Sequence, residues 1–159
     1  MIVLHRVDYG DPEVAELERQ VQQEYTRRYG GGDDTMLHPE QFRAPVGVFL
    51  LLSVDGAPVA MGGWRPRAAD GAHLHGGDAE IKRMYVVPTA QRRGHARTLL
   101  DELERTAAAA GRRRMVLETG LLQPEAIALY TTSGYTEIGK FGLYAQEDSS
   151  RYYAKALAG

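Results

Sequence analysis

The sequence predicts a single α/β (α+β) domain with a mixed, mostly antiparallel central sheet and flanking helices. Short runs of strand-forming residues alternate with helical patterns, and a two-residue turn signal, Asp55-Gly56, joins two of those runs into a hairpin. With 159 residues, 43% of them hydrophobic, the chain can bury one sizeable core. We therefore treat residues 1–159 as one domain.

The start of the chain predicts one strand and one helix. Residues 2 to 7 have the composition of a strand. Within residues 12 to 28, apolar residues recur at intervals of three and four positions, which predicts an amphipathic helix that buries Val14, Leu17, Val21 and Tyr25. The glycines 30 to 32 end that helix, and residues 30 to 45 have the composition of a loop.

The middle of the chain predicts the hairpin and a further strand. Residues 46 to 54 and 58 to 64 flank Asp55-Gly56 and form the two hairpin strands. A polar, glycine-rich connection over residues 65 to 78 leads to a β-branched run, which predicts a strand over residues 79 to 87.

The segment after that strand predicts an anion-binding site. Gln91-Arg92-Arg93-Gly94-His95-Ala96 precedes a long helix, which is predicted to begin at Arg97 and end at Gly111. The first N–H groups of a helix lack partners inside it, the helix dipole adds partial positive charge, and Gly94 lets the backbone approach a ligand. A diphosphate suits such a site. The buried stripe of the helix is expected to contain Leu99, Leu100, Leu103 and Ala107.

The last part of the chain predicts a strand, a short helix and two closing strands. Residues 115 to 119 form the first strand. Pro124 suits a first helical position and Gly134 suits the left-handed residue after a helix, which predicts a helix over residues 124 to 133. The closing strands are predicted over residues 136 to 144 and 151 to 157.

Composition excludes several classes of function. The chain has no cysteine, which excludes disulfides, thiolate metal sites and a cysteinyl acyl-enzyme, and its scattered histidines indicate no metal site. A net charge of −2 argues against nucleic-acid binding. No apolar stretch approaches the ~18 to 20 residues of a membrane span, and the start lacks a signal-peptide pattern, so the expected location is the cytoplasm. The sequence leaves open whether the chain forms a homodimer.

Two motifs together resemble a known enzyme family. Gln91-x-x-Gly94-x-Ala96 and Ala126-x-x-x-Tyr130-x-x-x-Gly134-Tyr135 occur in the order and spacing of the GNAT superfamily of N-acetyltransferases, whereas the dinucleotide and P-loop motifs do not fit the chain. The resemblance covers about residues 46 to 157. It implies a GNAT-like sheet in which two neighbouring parallel strands splay apart and acetyl-CoA, the donor substrate, lies in the gap.

The resemblance also implies which residues meet the donor. Backbone groups of Met84, Tyr85 and Val86 would lie along the pantetheine arm and polarise the acetyl carbonyl. Gln123 opens the short helix where the family often has Asn, and its longer side chain is a poorer N-cap. The loop implied to hold the pyrophosphate consists of Gln91, Arg92, Arg93, Gly94, His95, Ala96 and Arg97.

Three side chains are candidates for catalysis. Glu80 and Glu118 match the general bases of histone-type and ribosomal-protein-type family members, respectively, and Glu80 is the slightly preferred base. Tyr130 matches the tyrosine that faces the cofactor sulfur, where it would assist the departing thiolate. For each glutamate the alternative role is an exposed strand end or an ion pair with Lys82, Arg83 or Arg114.

The resemblance does not identify the acceptor. The leading interpretation is an N-acetyltransferase that acts on a primary amine of a small molecule or peptide; the alternatives are a non-catalytic acyl-CoA-binding regulatory domain and an RNA-binding protein. We expect the acceptor to meet carboxylates and aromatic residues outside residues 79 to 135, which would attract and hold a cationic amine. These are Glu24, Asp33, Asp34, Glu40, Glu147 and Asp148, with Tyr25, Tyr29, Phe42, Phe141 and Tyr144.

Overall fold

A seven-stranded sheet forms the centre of the protein in the computed structural model, which describes residues 1–158. The strands are β1 Ile2–Arg6, β2 Val48–Val54, β3 Ala57–Arg67, β4 Asp78–Val86, β5 Arg114–Gly120, β6 Thr136–Glu137 and β7 Ser150–Ala156. The helices are α1 Pro12–Tyr29, α2 His95–Ala109 and α3 Pro124–Thr132. The spatial order of the strands is β1-β2-β3-β4-β5-β7-β6, and within residues 1–158 only β4 and β5 pair in parallel. The predicted mixed, mostly antiparallel sheet is confirmed.

Local signals at both ends of α1 produce the helix that the sequence predicts. Asp11 caps the helix by accepting a hydrogen bond from the Glu13 backbone N–H, and Pro12 occupies the first turn. At the other end Gly30 adopts φ 83°, a left-handed conformation that ends helices at low steric cost.

The helices cover both faces of the sheet. Strand residues alternate between faces, so Leu50 of β2 packs with the α2 side of the core while its neighbour Leu51 packs with the α1 side. The α2 stripe was predicted correctly, because Leu99, Leu100, Leu103 and Ala107 are all fully buried. Trp64 of β3 donates a hydrogen bond to the Thr106 hydroxyl at 3.0 Å and so joins the sheet to α2.

The β2–β3 hairpin is set by its two turn residues. Asp55 and Gly56 have φ values of 50° and 85°, and Val54 pairs with Ala57 across the turn. A tight hairpin turn of this kind requires positive φ at both central positions, which asparagine, aspartate and glycine tolerate best. The strand β3 then extends to Arg67, so the polar connection before β4 is shorter than predicted.

The predicted strand over residues 136 to 144 is wrong beyond its first residues. Only Thr136 and Glu137 pair with β7, with one further backbone hydrogen bond from Ile138 to Tyr152. Glycines weaken strand pairing, and Gly139 and Gly142 interrupt the run. Phe141 instead turns inward against Tyr152, with ring centroids 4.9 Å apart.

The parallel pair β4–β5 separates soon after it begins. Asp78, Ala79 and Glu80 pair with residues 114 to 116, and the two strands are not paired beyond that point. This is the splayed arrangement that the sequence resemblance implied. No helix within residues 1–158 has the length and apolar character needed to cross a membrane.

Candidate active site

A cavity of about 450 Å³ opens where β4 and β5 separate. Its walls come from the two diverging strands, from α3, from the segment that follows α1 and from the turn before β7. Of the donor and catalytic residues predicted from sequence, it is lined by Met84, Glu118, Gln123 and Tyr130; of the expected acceptor contacts, by Tyr25, Tyr29, Asp33, Asp34, Tyr144 and Glu147.

Glu118 of β5 is the glutamate that faces this cavity. Burial raises the pKa of its carboxyl to about 7, with Lys82 opposing the rise and Asp33 adding to it. The Ser150 hydroxyl donates a hydrogen bond to Glu118 Oε1 at 3.3 Å. A carboxyl that titrates near neutral pH can accept a proton there and release it again, as a general base must.

Glu80 has a different environment. It is 4% exposed, does not line the cavity, and its Oε1 accepts hydrogen bonds from Arg65 Nε at 2.9 Å and Arg67 Nη1 at 2.7 Å. Arg65 is its partner in the β3–β4 register, so the ion pair crosses two adjacent strands. Two guanidinium groups occupy one carboxylate oxygen, so Glu80 belongs to a buried ion-pair network.

Tyr130 projects from α3 into the cavity. Its ring packs edge-on against Tyr135 with centroids 5.5 Å apart, and its side chain is only 5% exposed. Burial raises the pKa of the Tyr130 phenol above its ordinary value, and no charge or hydrogen bond opposes this rise. The hydroxyl therefore keeps its proton at neutral pH and can donate it.

An extra residue in β4 shapes the wall opposite Glu118. Gly63 pairs with Lys82 but Met61 pairs with Tyr85, so β4 carries one residue more than β3, and Arg83 adopts φ 61°. Bulges of this kind redirect side chains and bend the strand that carries them. No local sequence pattern predicts this bulge, because it arises from the pairing of β4 with β3.

The bulge directs two consecutive basic side chains toward one carboxylate. Asp33 Oδ2 accepts hydrogen bonds from Lys82 Nζ at 3.1 Å and from Arg83, whose Nε also binds Glu18 of α1 at 2.9 Å. Burial alone would raise the pKa of Asp33, but the charges of Lys82 and Arg83 outweigh it and hold that pKa well below its ordinary value. These ion pairs fasten the segment after α1 to the cavity wall.

A contact between two distant segments covers another part of the cavity. The Asp34 backbone N–H donates a hydrogen bond to the Tyr144 hydroxyl, which in turn donates to the Gly32 carbonyl at 3.5 Å. The segment after α1 and the turn before β7 therefore meet through one side chain.

Other expected acceptor contacts lie away from the cavity. Glu24 is paired with Arg27 and Arg28 on α1, Phe42 packs in the core under α1, and Phe141 packs against Tyr152. Glu40 and Asp148 are exposed and do not line the cavity.

The segment before α2 has the geometry of a backbone anion site. Arg92 and Gly94 both have positive φ, 65° and 82°, and a Cβ added at Gly94 would meet no atom within 4 Å. The first helical hydrogen bond joins the Thr98 N–H to the Gly94 carbonyl. The amides of residues 95 to 97 precede that bond and lack partners in the helix.

The remaining predicted donor residues fall into exposed, packed and tethered groups. Arg92 and Arg93 are exposed, His95 is 7% exposed, and Tyr85 and Val86 end β4. Several side chains are tethered: Gln91 Nε2 donates to the Val86 carbonyl, Arg97 donates to the hydroxyls of Thr132 and Ser133, and Gln123 accepts from the Tyr29 hydroxyl. Arg97 thus links the start of α2 to the end of α3.

Sequence comparison identifies the family. The model of the acetyltransferase (GNAT) family matches residues 14–135. This chain belongs to the GNAT family. It is 38% identical over 109 residues to an IAA acetyltransferase of Azospirillum brasilense, a match that covers 69% of this chain and 67% of that relative. Membership makes the protein an acyltransferase, of a family that uses acyl-CoA donors.

Solved structures of GNAT proteins share this fold. A protein described as an acyl-CoA N-acyltransferase from Klebsiella pneumoniae has 26% sequence identity and a TM-score of 0.78, over 99% of both chains. PaiA N-acetyltransferase from Thermoplasma acidophilum, determined in complex with coenzyme A, has 15% identity and a TM-score of 0.71, over 98% of this chain and 99% of that one. At that lower identity the likeness concerns the fold alone.

Replacing Glu118 with glutamine should change how stability depends on pH. Burial raises the pKa of Glu118 from 4.5 to about 7 in the folded protein. Below about pH 4.5 the Glu118 carboxyl is protonated in both the folded and the unfolded state. Between about pH 4.5 and pH 7 it is protonated only in the folded state. Rising pH therefore lowers the free energy of unfolding until the folded carboxyl ionises. E118Q should lack this loss and gain stability relative to the native sequence across that window.

Urea unfolding at a series of pH values would measure the effect. The matched control is E147Q, an exposed carboxylate that lines the same cavity. Parallel stability profiles for E118Q and the native protein would contradict the raised pKa.

Proposed function

We propose that this protein transfers an acetyl group from acetyl-CoA to a primary amine by direct attack of the amine on the thioester. The observation that carries the proposal is that one cavity, between the splayed strands, is lined both by a carboxyl whose pKa is near 7 and by a buried, protonated phenol. These are the two proton-handling groups that such a transfer needs. With no cysteine in the chain, a cysteinyl acyl-enzyme is excluded, and direct attack is the simplest route.

Residues 91 to 97 are proposed to bind the pyrophosphate of the donor. The unpaired amides at the start of α2, its dipole and the open space at Gly94 all favour a phosphate group. Beyond the last β4–β5 pair, the backbone groups of the two strands are free to bond to the amides of a pantetheine arm. Backbone N–H groups in Met84 to Val86, just past the bulge, would polarise the thioester carbonyl.

Glu118, rather than Glu80, is proposed as the general base. An amine with a pKa of ~10.4 costs about 4 to 5 kcal/mol to deprotonate at pH 7, at 1.36 kcal/mol per unit. Glu118 faces the cavity with a raised pKa, whereas two arginines occupy Glu80. Glu80 would then act structurally, by neutralising Arg65 and Arg67.

Tyr130 is proposed as the general acid. Its phenol lines the cavity and remains protonated because burial raises its pKa. The ammonium form of the acceptor would first lose one proton to solvent through Glu118, so that a neutral amine attacks while Glu118 is again ionised. When the carbon–sulfur bond of the thioester breaks, the thiolate would take the Tyr130 proton, and the acceptor nitrogen would lose its second proton to Glu118. Tyr130 regains its proton from solvent after the products leave, so atoms and charges balance.

A cationic amine is proposed as the acceptor. Lys82 and Arg83 neutralise Asp33. Two exposed carboxylates, Asp34 and Glu147, then remain on the acceptor side of the cavity, which is the wall formed by the segment after α1 and the turn before β7. Tyr25, Tyr29 and Tyr144 add aromatic surfaces there. Carboxylates attract an ammonium group and aromatic faces can hold one.

E118Q should lose activity in a pH-dependent way. The native kcat/KM should rise with pH up to about pH 7 as Glu118 ionises, and E118Q should lose about 10²- to 10⁴-fold near neutrality, and less at high pH where the amine is already neutral. The assay is thiol release from acetyl-CoA over a panel of amines.

E80Q is the matched control for the base. It should destabilise the fold, because it removes the partner of two buried or half-buried guanidinium groups. The rise of kcat/KM with pH should remain, moved slightly toward lower pH because the Glu80 charge contributes to the raised pKa of Glu118. If E80Q abolishes the rise with pH and E118Q does not, the two glutamates have the opposite roles. A lack of thiol release with every amine would favour a non-catalytic acyl-CoA-binding domain.

Gly94→Asp should weaken binding of coenzyme A by at least tenfold. The substitution puts a side chain and a negative charge where backbone amides would meet phosphate. Gly111→Asp is the matched control, since Gly111 follows α2 at its other end, has φ 81° and is equally open. Calorimetry with folded variants would measure both affinities, and equal affinities would place the pyrophosphate elsewhere.

Tyr130→Phe should lower kcat while leaving the dissociation constant of coenzyme A nearly unchanged. The hydroxyl would act on the leaving thiolate rather than on the bound donor, so its loss appears in the chemical step. Thiol release gives kcat and calorimetry gives the affinity. Turnover equal to that of the native enzyme would reduce Tyr130 to a packing residue.

Charge reversal on the acceptor side should lower kcat/KM for the best amine. D34K and E147K replace attraction by repulsion, whereas E40K alters an exposed carboxylate outside the cavity and serves as the control. Added salt should also lower the native kcat/KM by screening the same charges. A best substrate that is neutral or anionic at the assay pH would contradict the cationic acceptor.

A further inference from the structure

The strand next to Glu118 presents two hydroxyl groups on the same face of the sheet. In the β5–β7 register Glu118 lies directly opposite Tyr152, and Gly120 lies opposite Ser150. Directly opposed residues of an antiparallel pair, and residues two positions apart on one strand, share a face. Glu118, Ser150 and Tyr152 therefore form a cluster beneath the cavity.

Both hydroxyl groups are buried, but only the Ser150 hydroxyl has a hydrogen-bond partner within residues 1–158. Ser150 is 5% exposed and its Oγ donates to Glu118 Oε1 at 3.3 Å. Tyr152 is 1% exposed, and its hydroxyl has no hydrogen-bond partner within residues 1–158. A buried donor without a partner is costly, so it marks a group that bonds in some state of the protein.

The surroundings of the Tyr152 hydroxyl indicate which acceptor it bonds to. Burial and then the Glu118 charge raise the pKa of the Tyr152 phenol to about 12, so the phenol stays a donor at neutral pH. Ser150 lies two positions from Tyr152 on the same face of β7, and its hydroxyl influences the pKa of both Glu118 and Tyr152. A hydroxyl that receives one hydrogen bond donates a stronger one.

We propose that Ser150 and Tyr152 are positioning residues for the general base. The Tyr152 hydroxyl donates to Ser150 Oγ, Ser150 donates to Glu118 Oε1, and Oε2 is left to take the proton of the acceptor amine. No covalent bond changes in this chain of hydrogen bonds. The inference rests on the proposed function, in which Glu118 is the base.

Other charged and titratable groups also act on Glu118. They are Lys82 and Glu80 of β4, Asp33 of the segment after α1, Tyr29 of α1 and Tyr144 of the turn before β7. Glu147 of the same turn lines the cavity and acts on the Tyr152 phenol. Substitutions at Ser150 and Tyr152 leave all of these in place, so a change in the titration of Glu118 can be assigned to the hydroxyl groups.

Five variants test the chain: S150A, S150T, Y152F, the double variant S150A/Y152F, and Y153F. Tyr153 lies on the opposite face of the same strand, in the core near α2, and is the matched control. Two readouts are taken for each variant: the pH dependence of kcat/KM, and the pKa of Glu118 from the pH dependence of urea unfolding relative to the same variant carrying E118Q.

S150A should move the acid limb of the rate profile upward by about 0.4 to 1 pH unit, since a neutral hydrogen bond that stabilises the carboxylate is lost. Y152F should cause a smaller shift in the same direction and add nothing to S150A, because Tyr152 acts through Ser150. S150T keeps a hydroxyl and should restore the native limb. Y153F should leave the limb unchanged.

Two outcomes would overturn the proposal: an unshifted Glu118 pKa in folded S150A, or shifts of S150A and Y152F that simply add. Failure of the proposed function would give a different pair of results. If the unfolding measurements show the expected shifts but the rate profile does not follow them, the hydrogen-bond chain stands and Glu118 is not the base.

Discussion

The extra residue in β4 determines how the cavity is assembled. In a regular strand Lys82 and Arg83 would point to opposite faces, but the bulge brings both side chains to Asp33. Arg83 also reaches Glu18, so the same residue fastens α1 and the segment after it to the strand that turns away from β5. With Asp33 neutralised by its two partners, the negative charge left near the acceptor side lies on residues that face solvent. Burial and the balance of these charges then set the proton affinity of Glu118.

The two glutamates illustrate how neighbours, rather than residue type, decide chemistry. Glu80 and Glu118 lie on adjacent strands and either could serve as a base by spacing alone. Glu80 faces two arginines of β3, which hold it as part of a buried ion-pair network. Glu118 faces a cavity and receives one neutral hydrogen bond. Burial of a carboxyl that has no salt-bridge partner favours its protonated form and raises its pKa. Such a carboxyl can exchange a proton near neutral pH.

Features set by local sequence were the ones that sequence could predict. The Asp55-Gly56 turn, the ends of α1 and the buried stripe of α2 each depend on residues within a few positions of one another. The splayed strands followed from the family resemblance. The bulge at Arg83 and the pairing of Glu80 with Arg65 and Arg67 depend on a neighbouring strand, so no local sequence pattern predicts them. The strand predicted over residues 136 to 144 is wrong beyond Glu137, because Gly139 and Gly142 weaken strand pairing there.

The contact between Tyr144 and the Gly32–Asp34 segment has an evolutionary consequence. The two segments that it joins lie outside the sheet, so each can vary in sequence and length without disturbing the strands that carry Glu118 and the donor groups. Neither can change in length alone, however, because the Tyr144 hydroxyl bonds to backbone groups of Gly32 and Asp34. New acceptor specificity in this lineage should therefore arise through paired changes in segments about 110 residues apart, and covariation between them in related sequences would be the trace of that history.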